Sequence, residues 1–573
     1  MAMRLTLFHA NGSRFINSGI SRDGSLVTAS LKRKKFHVIL VKPSKYDDDG
    51  YVIRWWRGIV TSNSLACLHA LTQSAFADNA FLPDVEPVLH VFDETVQKIP
   101  VKKLSQHIRK NGDRAIVCMV GVQTNQFARA VDLAMMFKKE SLPVMIGGFH
   151  VSGILQMIPG KTPEIQEAID LGITLVAGEV EARWPELLRA AYDGKLESVY
   201  NFISEKPDLQ GAPGPTLPEE MVPRFFNFQT SFDAGRGCPF QCSFCTIINV
   251  QGHDMRGRTA EDIEKLVRYV HDRGHKHIFI TDDNFARHKD WEKITDRLIE
   301  LKEKENIRCS IMIQTDTAAH KIPRFIEKMT HAGVRRVFIG MESIDAENLK
   351  SVGKYQNQLA EYRKMLQAWR DHGAITAAGY IIGFPGDTYD SIMRDVEVLK
   401  KELPLDLAEF FILTPLPGSK DHQQNVLKKI PMAADTNLYD TNHTVVKHPK
   451  MTGDEIMRAY RDAWGSFYSK EHCRTLLMRR PGPRRRLLFS SLIWFCSCMT
   501  LTGIHPLLGG FLRLKGRKDR RPGYPVESFL PYYAGRWWDL ISYVLKFGWL
   551  ILGLWLINRE DNEGYQDTAI TPE

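Results

Sequence analysis

The first 18 residues, MAMRLTLFHANGSRFINS, contain no continuous apolar core of signal-peptide length, which predicts synthesis and residence on the cytoplasmic side. In that compartment the nine cysteines are expected to be reduced thiols or metal ligands. No second CxxC pair accompanies Cys242 and Cys245, so a zinc ribbon is excluded. No fourth cysteine completes the run at Cys238, Cys242 and Cys245, which excludes a ferredoxin-type loop. No repeat of solenoid period appears. The net charge of +9 is not spread along the chain: Arg479, Arg480 and Arg484–Arg486 precede one apolar stretch, and Arg513, Lys515, Arg517, Lys518, Arg520 and Arg521 follow it. Nucleic acid is therefore not the expected partner.

The length of 573 residues exceeds what one core sustains and predicts two or three domains. From residue 35, β-rich runs alternate with helical ones: KFHVILVKPS, SNSLACLHALTQSAFA, EPVLHVFDET, RAIVCMVGVQT, NQFARAVDLAMMFKKES, LPVMIGGFHVS and ITLVAGEVEA. This alternation predicts βαβ units and a parallel sheet over residues 35–200, after an amino-terminal extension of residues 1–34. Ligands of such sheets lie beyond the strand carboxyl ends, which here carry Gly121, Gln123, Thr124, Gly147, Gly148, Phe149 and His150. A linker or strap is expected at 201–225, where residues 205–223 hold five prolines and little periodicity. A second βα series fills 226–430, with helices expected at 259–274, 288–305, 321–332, 356–372 and 389–403. Six strand units of this kind suit an incomplete (β/α) barrel whose chemistry gathers at the strand ends. Cys67, Cys118 and Cys309 sit in apolar runs and read as core residues.

Cys238, Cys242 and Cys245 stand in GRGCPFQCSFC, among Gly, Pro, Gln and Ser, and cannot be read as core. Three thiolates can hold three irons of a [4Fe–4S] cube and leave the fourth open to a non-protein ligand. Unrelated loop cysteines, or a zinc site with a distant fourth ligand, are the alternatives at this point.

The spacing CxxxCxΦC, met by Cys238, Cys242, Phe244 and Cys245, resembles the signature of the radical S-adenosylmethionine (SAM) superfamily. That resemblance implies a [4Fe–4S] cluster on the three cysteines, with Phe244 near the adenine of SAM. It extends to Asp282, Asp283 and Asn284 in TDDNF, where the family usually has a glycine-rich turn meeting the methionine amino group. It includes Glu342 and Ser343 in GMES, facing ribose and carboxylate, and Gly379, Ile381 and Gly383 in GYIIGFPGDT, under the adenine. Gln314 and Asp316 end the third strand and face cofactor or substrate. The region ahead of the barrel resembles the cobalamin-binding domain of cobalamin-dependent radical SAM enzymes, through VGVQTNQFARAVDLA, VMIGGFHVS and VAGEVEARWPELL, so the likeness spans roughly 35–430. It implies an α/β fold: a Rossmann-like cobalamin domain, a partial (β/α)6 barrel and a helical carboxyl-terminal region. Cobalamin contacts then fall on Gly121, Gln123, Thr124, Gly147, Gly148 and His150. The DxHxxG motif that supplies a histidine to cobalt elsewhere is missing, since the first strand continues into KPSKYDDDGY.

The activity so implied is methyl transfer to a small-molecule or lipid-like substrate, through SAM cleavage to a 5′-deoxyadenosyl radical, with an electron donor such as flavodoxin or ferredoxin. A cyclase or oxidoreductase without methyl transfer is the alternative enzyme, and a noncatalytic cobalamin or redox sensor the alternative class. No residue is assigned to catalysis itself. Within the region 431–573, two apolar runs, 487–512 and 540–557, approach the length that spans a bilayer. Basic residues on both sides of the first disfavour simple crossing. A monotopic or re-entrant arrangement with Trp537, Trp538, Trp549 and Trp555 at a membrane interface, or a buried cap on the barrel, are the two expectations. Cys496 and Cys498 are read as apolar packing.

Overall fold

The computed structural model describes residues 34–78, 81–226, 229–480 and 482–561, with isolated positions (19–20, 26–27, 564–566 and 569) beyond them. The expected extension of residues 1–34 lies almost wholly outside the described residues.

The first sheet is six-stranded: β1 (Lys34–Lys42), β2 (Val85–Asp93), β3 (Arg114–Met119), β4 (Val144–Gly147), β5 (Thr174–Ala177) and β6 (Val199–Asn201), in the order β2-β1-β3-β4-β5-β6. All neighbours run parallel. Helices on both faces bury the central strands, so β1 reads KKFHVILVK, an almost continuous apolar run. The order reverses between β1 and β3, and this switch point opens a crevice beyond the strand carboxyl ends.

The second sheet is also six-stranded and parallel: β7 (Thr230–Phe232), β8 (His277–Ile280), β9 (Ser310–Thr315), β10 (Val334–Glu342), β11 (Ile375–Ile382) and β12 (Leu407–Ile412), paired in chain order. Helices Ala260–Asp272, Trp291–Lys304, Phe325–Ala332, Leu359–Asp371 and Tyr389–Lys401 cover its outside, within a few residues of the expected spans. Thr259 and Thr388 start two of them with capping boxes. With six strands the barrel does not close, and β7 and β12 remain edges.

The carboxyl-terminal region fills that gap. Leu488, Leu492, Phe495 and Cys496 of helix Pro483–Ser497 belong to the barrel core. Arg480 forms a fully buried ion pair with Asp406, its Nε donating to Oδ1 at 2.8 Å, and so fixes the start of this helix beside β12. The His505 ring lies 4.7 Å from Phe411 of β12, while Trp494 and Phe511 lie 6.4 and 5.8 Å from Phe226, just before β7. The first apolar run is thus a barrel cap rather than half of a membrane hairpin. Its apolar residues are explained by the open edge they cover.

The tail then returns to the first half of the chain. Gly510–Arg513 pairs antiparallel with Trp55–Gly58. Helix Phe529–Asn558 follows, the one helix among the described residues long and apolar enough to cross a membrane. One stripe of it rests on the body from end to end: the Tyr532 hydroxyl donates to Lys515 O at 2.9 Å, Phe547 stacks 5.5 Å from Phe511, and Arg485 donates to Ile557 O at 2.9 Å. The opposite face leaves Trp537, Trp549 and Leu530 exposed at 65%, 73% and 78%.

Candidate active site

The cysteine loop leaves β7 and is held from three sides. At its base Gly235–Arg236 pairs with Arg256–Gly257. Gly237 has φ +99°, and a Cβ there would lie 2.4 Å from Asp254 O, so only glycine permits this closure. Farther along, Ser243 N donates to Val352 O at 2.9 Å, and Asp421 N donates to Ser243 O at 3.1 Å. Cys242 is buried, with Cys238 and Cys245 half-buried.

The three thiols are close enough to oppose one another's ionisation, and burial, the larger cause, pushes Cys245 up to about 12. Among the described residues no three His, Cys, Asp or Glu side chains gather as they would around a single ion. Three thiols in one loop without a fourth cysteine fit a cluster with one open iron better than a structural zinc site, which takes four protein ligands.

Around the loop stand the other strand ends. Asp282 is buried; its Oδ1 accepts the Ala234 N–H at 2.7 Å, Oδ2 has no partner, and burial raises the carboxyl to about 8. Asp283 is open to the barrel lumen, yet lies deep enough within it for desolvation to raise its carboxyl to about 7. Asn284 turns away: its Nδ2 donates to Asp316 at 2.9 Å, and Asp316 also receives both Arg287 donors. Gln314 donates to Asp282 O at 3.2 Å. Of Asp282, Asp283 and Asn284, only Asp283 is exposed, while Asp282 and Asn284 set the turn.

Glu342 has φ +66°, where side chains are strained, at a register shift between β10 and β11. This conformation aims its carboxylate at Lys354, with which it forms a buried ion pair. The Lys354 ammonium is 5.8 Å from the Phe244 ring, and it interacts electrostatically with both Cys242 and Cys245. Gln356 Nε2 reaches Cys242 Sγ at 3.8 Å. Ser343 is fully buried, its hydroxyl accepting the Asp345 N–H within its own turn.

Phe244 packs with Ile381, Phe384 and Val352 in a small apolar cluster. Gly379 faces the same lumen, since a Cβ there would be 2.9 Å from Phe338 and 3.5 Å from Glu342 Oε2. Gly383 has φ +101° and donates to Asp387 at 2.8 Å, which shapes the turn after β11.

A cleft beyond the ends of β3, β4 and β5 adjoins the loop. It is lined by Gly121, Gly147, Gly148 and Phe149 from the sheet and by Arg236, Val250 and Gln251 from beside the cysteines. Gly148, at φ +144°, is required: a Cβ would sit 2.1 Å from Val122 N. Three expected contacts do not line this cleft. Gln123 and Gln126 form the cap of helix Thr124–Lys138, and Thr124 is buried at 3.3 Å from the His150 ring. His150 is itself fully enclosed against Phe127, where burial lowers it to about 3. A histidine on an apolar helix face here is a core residue.

Sequence reasoning missed what joins the two sheets. Arg236 pairs with Glu179, Glu181 and Asp233, and Arg256 pairs with Glu179 at 2.6 Å. Cys67, expected as plain core, lines the cleft with its thiol 3.6 Å from Arg236. Gly153 meets the loop after β12 so closely that a Cβ would be 2.4 Å from Pro417 O. The GEVE stretch carried the only local signal, paired acids at a strand end.

A model of the radical SAM superfamily matches residues 233–399. The matched span covers most of the parallel open barrel and the three-thiol loop after its first strand. The bacteriochlorophyllide d C-12(1)-methyltransferase of Chlorobaculum tepidum is 26% identical over 346 residues, 56% of this chain and 68% of that protein. The radical SAM methyltransferase TsrM from Kitasatospora setae, solved with cobalamin and a [4Fe–4S] cluster bound, shares the fold at a TM-score of 0.55 and 15% identity, over 76% of this chain and 89% of that one. OxsB, a cobalamin-dependent SAM radical enzyme, does so at 0.54 and 13%, over 82% and 72%. Residues 233–399 thus match the radical SAM superfamily, and the two-sheet order of the chain shares its fold with TsrM and OxsB.

Proposed function

We propose that the protein is a cobalamin-dependent radical SAM C-methyltransferase, with residues 35–200 as the cobalamin unit, 226–430 as the radical barrel and 431–573 as a cap. The observation that carries this is the shared wall: Arg236, Val250 and Gln251 line the first-sheet cleft while the same loop carries Cys238, Cys242 and Cys245. Two reactive centres placed on either side of one loop suit transfer between them.

When bound, the cluster and SAM supply a hydrogen-abstracting radical, and cobalamin supplies the methyl group. The chain's own residues position these groups. Cys238, Cys242 and Cys245 would hold the irons. Asp283 and the Glu342–Lys354 pair offer a carboxylate and an ion pair to the amino acid end of SAM, and Phe244, Ile381 and Gly379 an apolar slot to its adenine. Gly121, Gly147 and Gly148 let a planar macrocycle approach the backbone. No histidine lines that cleft among the described residues, which favours cobalamin without a protein imidazole on its lower face. An electron donor of the flavodoxin or ferredoxin type completes the cycle, on a small-molecule or lipid-like substrate.

We further read the outer face of helix Phe529–Asn558 as resting on the cytoplasmic side of a membrane. Its inner stripe stays on the body throughout, so it would lie in the interface rather than cross it.

The test is product accounting. Protein reconstituted anaerobically with iron, sulfide and cobalamin, given SAM, reductant and substrate-bearing extract, should release S-adenosylhomocysteine and 5′-deoxyadenosine together. Release of 5′-deoxyadenosine alone would exclude methyl transfer.

A further inference from the structure

A cavity of about 620 Å3 lies outside everything assigned above. Its walls are the loop after β1 (Lys45 to Asp49), the loop after β12 (Asp440 to His443), the tail segment 501–515 and one flank of helix Phe529–Asn558, where Lys546 is exposed at the rim. None of the residues proposed for the cluster, SAM or cobalamin contributes to it.

Its charges do not cancel. Every carboxylate in the wall is held by a cation of the wall: Asp440 by Lys45 and His443, Asp48 by His443, Asp47 by Arg513 and Lys515, Asp49 by Lys515, and Asp539 by Arg536. Hydrogen bonds that the His443 ring donates to Asp440 and Asp48 raise it to about 9, so it is a cation at neutral pH.

Two donors remain. Lys546, the single charge within the apolar run 540–557, has no ion-pair partner among the described residues. The buried Nε of Arg513 has no hydrogen-bond partner, although Asp47 occupies another nitrogen of that guanidinium at 2.8 Å. Lys45, His443, Arg513, Lys515, Arg536 and Lys546 face Asp47, Asp48, Asp49, Asp440 and Asp539, which is six cations against five carboxylates. Much of the remaining wall is apolar, including Leu501, Ile504, Leu508, Leu512 and Leu540.

A buried donor without an acceptor is costly, and an unpaired ammonium beside an apolar wall is the complement of an anion carried on a hydrocarbon. We propose that this cavity binds an amphiphile with one anionic head, a carboxylate or phosphate, set between Lys546 and Arg513 with its apolar body along Leu501, Leu508 and Leu512. The site is independent of both cofactors and of whether the outer face of the helix meets a bilayer.

The probe is cis-parinaric acid, titrated by fluorescence into the full-length protein. One saturable site per chain is expected, with tetradecanol and inorganic phosphate competing at least tenfold less well than myristate or phosphatidic acid. Displacement by myristate in solution identifies a free amphiphile, and displacement only by phosphatidic acid in vesicles identifies a membrane lipid; displacement by neither overturns the site. Lys546→Glu should weaken binding about tenfold or more. Ser542→Trp, which fills the cavity from the same helix, should do likewise. Trp549→Ser, on the outer face, should leave probe binding unchanged while lowering vesicle association, which separates failure of the membrane reading from failure of this one. Undiminished binding in both Lys546→Glu and Ser542→Trp, at an unchanged melting temperature, would refute the proposal.

Discussion

The two strand-end sites of this protein are built from opposite materials. At the barrel mouth side chains do the work: three thiols, the open carboxylate of Asp283, and an ion pair bent into place by the strained backbone of Glu342. Beyond the first sheet the turns at the strand ends are glycines. Gly121, Gly147 and Gly148 leave bare backbone, and His150 is buried behind the cleft. On the proposed function, one site would grip its ligands by coordination and charge, whereas the other would admit a broad ligand by shape. The lesson is that polar residues at strand ends mark the first kind of site, while the second is marked by what is missing.

Several substitutions test that contrast. Cys242→Ala should remove an iron ligand and lower SAM cleavage by at least about a thousandfold, read as 5′-deoxyadenosine release, while cobalamin still binds. Gly148→Val should have the complementary effect: with Val122 N 2.1 Å from the new Cβ, the cleft cannot form as it is. A stability loss of about 3–5 kcal/mol and loss of bound cobalamin are expected, checked by denaturant unfolding and the cobalamin absorbance. If either variant loses both cofactors equally, the two sites are not separable in this way.

Glu179→Gln probes their junction. It leaves Arg236 and Arg256 short of a buried carboxylate and should cost about 2–4 kcal/mol, weakening both sites together. The smallest effect concerns His443. Its folded pKa of about 9 exceeds its ordinary value, so the stabilisation is full below pH 6.5 and fades as pH rises through 9. His443→Gln should remove about 1–2 kcal/mol at pH 6 and flatten the stability profile between pH 6.5 and 9, by thermal unfolding.

What was legible in the sequence was local. The cysteine spacing, the capped barrel helices and the apolar strands announce themselves within a few residues, because their causes lie within a turn or a pleat. The three-residue strand Val199–Asn201 is too short to show a period. Cys67, Glu179 and Arg236 were misread or unseen because their partners come from elements 50 or more residues apart, and His150 because strand-end position does not say which way a helix turns its side chains. The tail was half legible. Composition marked both runs as apolar, but only the unclosed edge of the barrel decides that helix Pro483–Ser497 is covered and Phe529–Asn558 exposed.

The pairing of Trp55–Gly58 with Gly510–Arg513 also has a temporal side. On a ribosome adding roughly 5–20 residues per second, the early strand waits on the order of half a minute or more for its partner to emerge. Until then the segment after β1 and the open side of the barrel both lack their covering. Closure of this long loop therefore has to wait until most of the chain has been made.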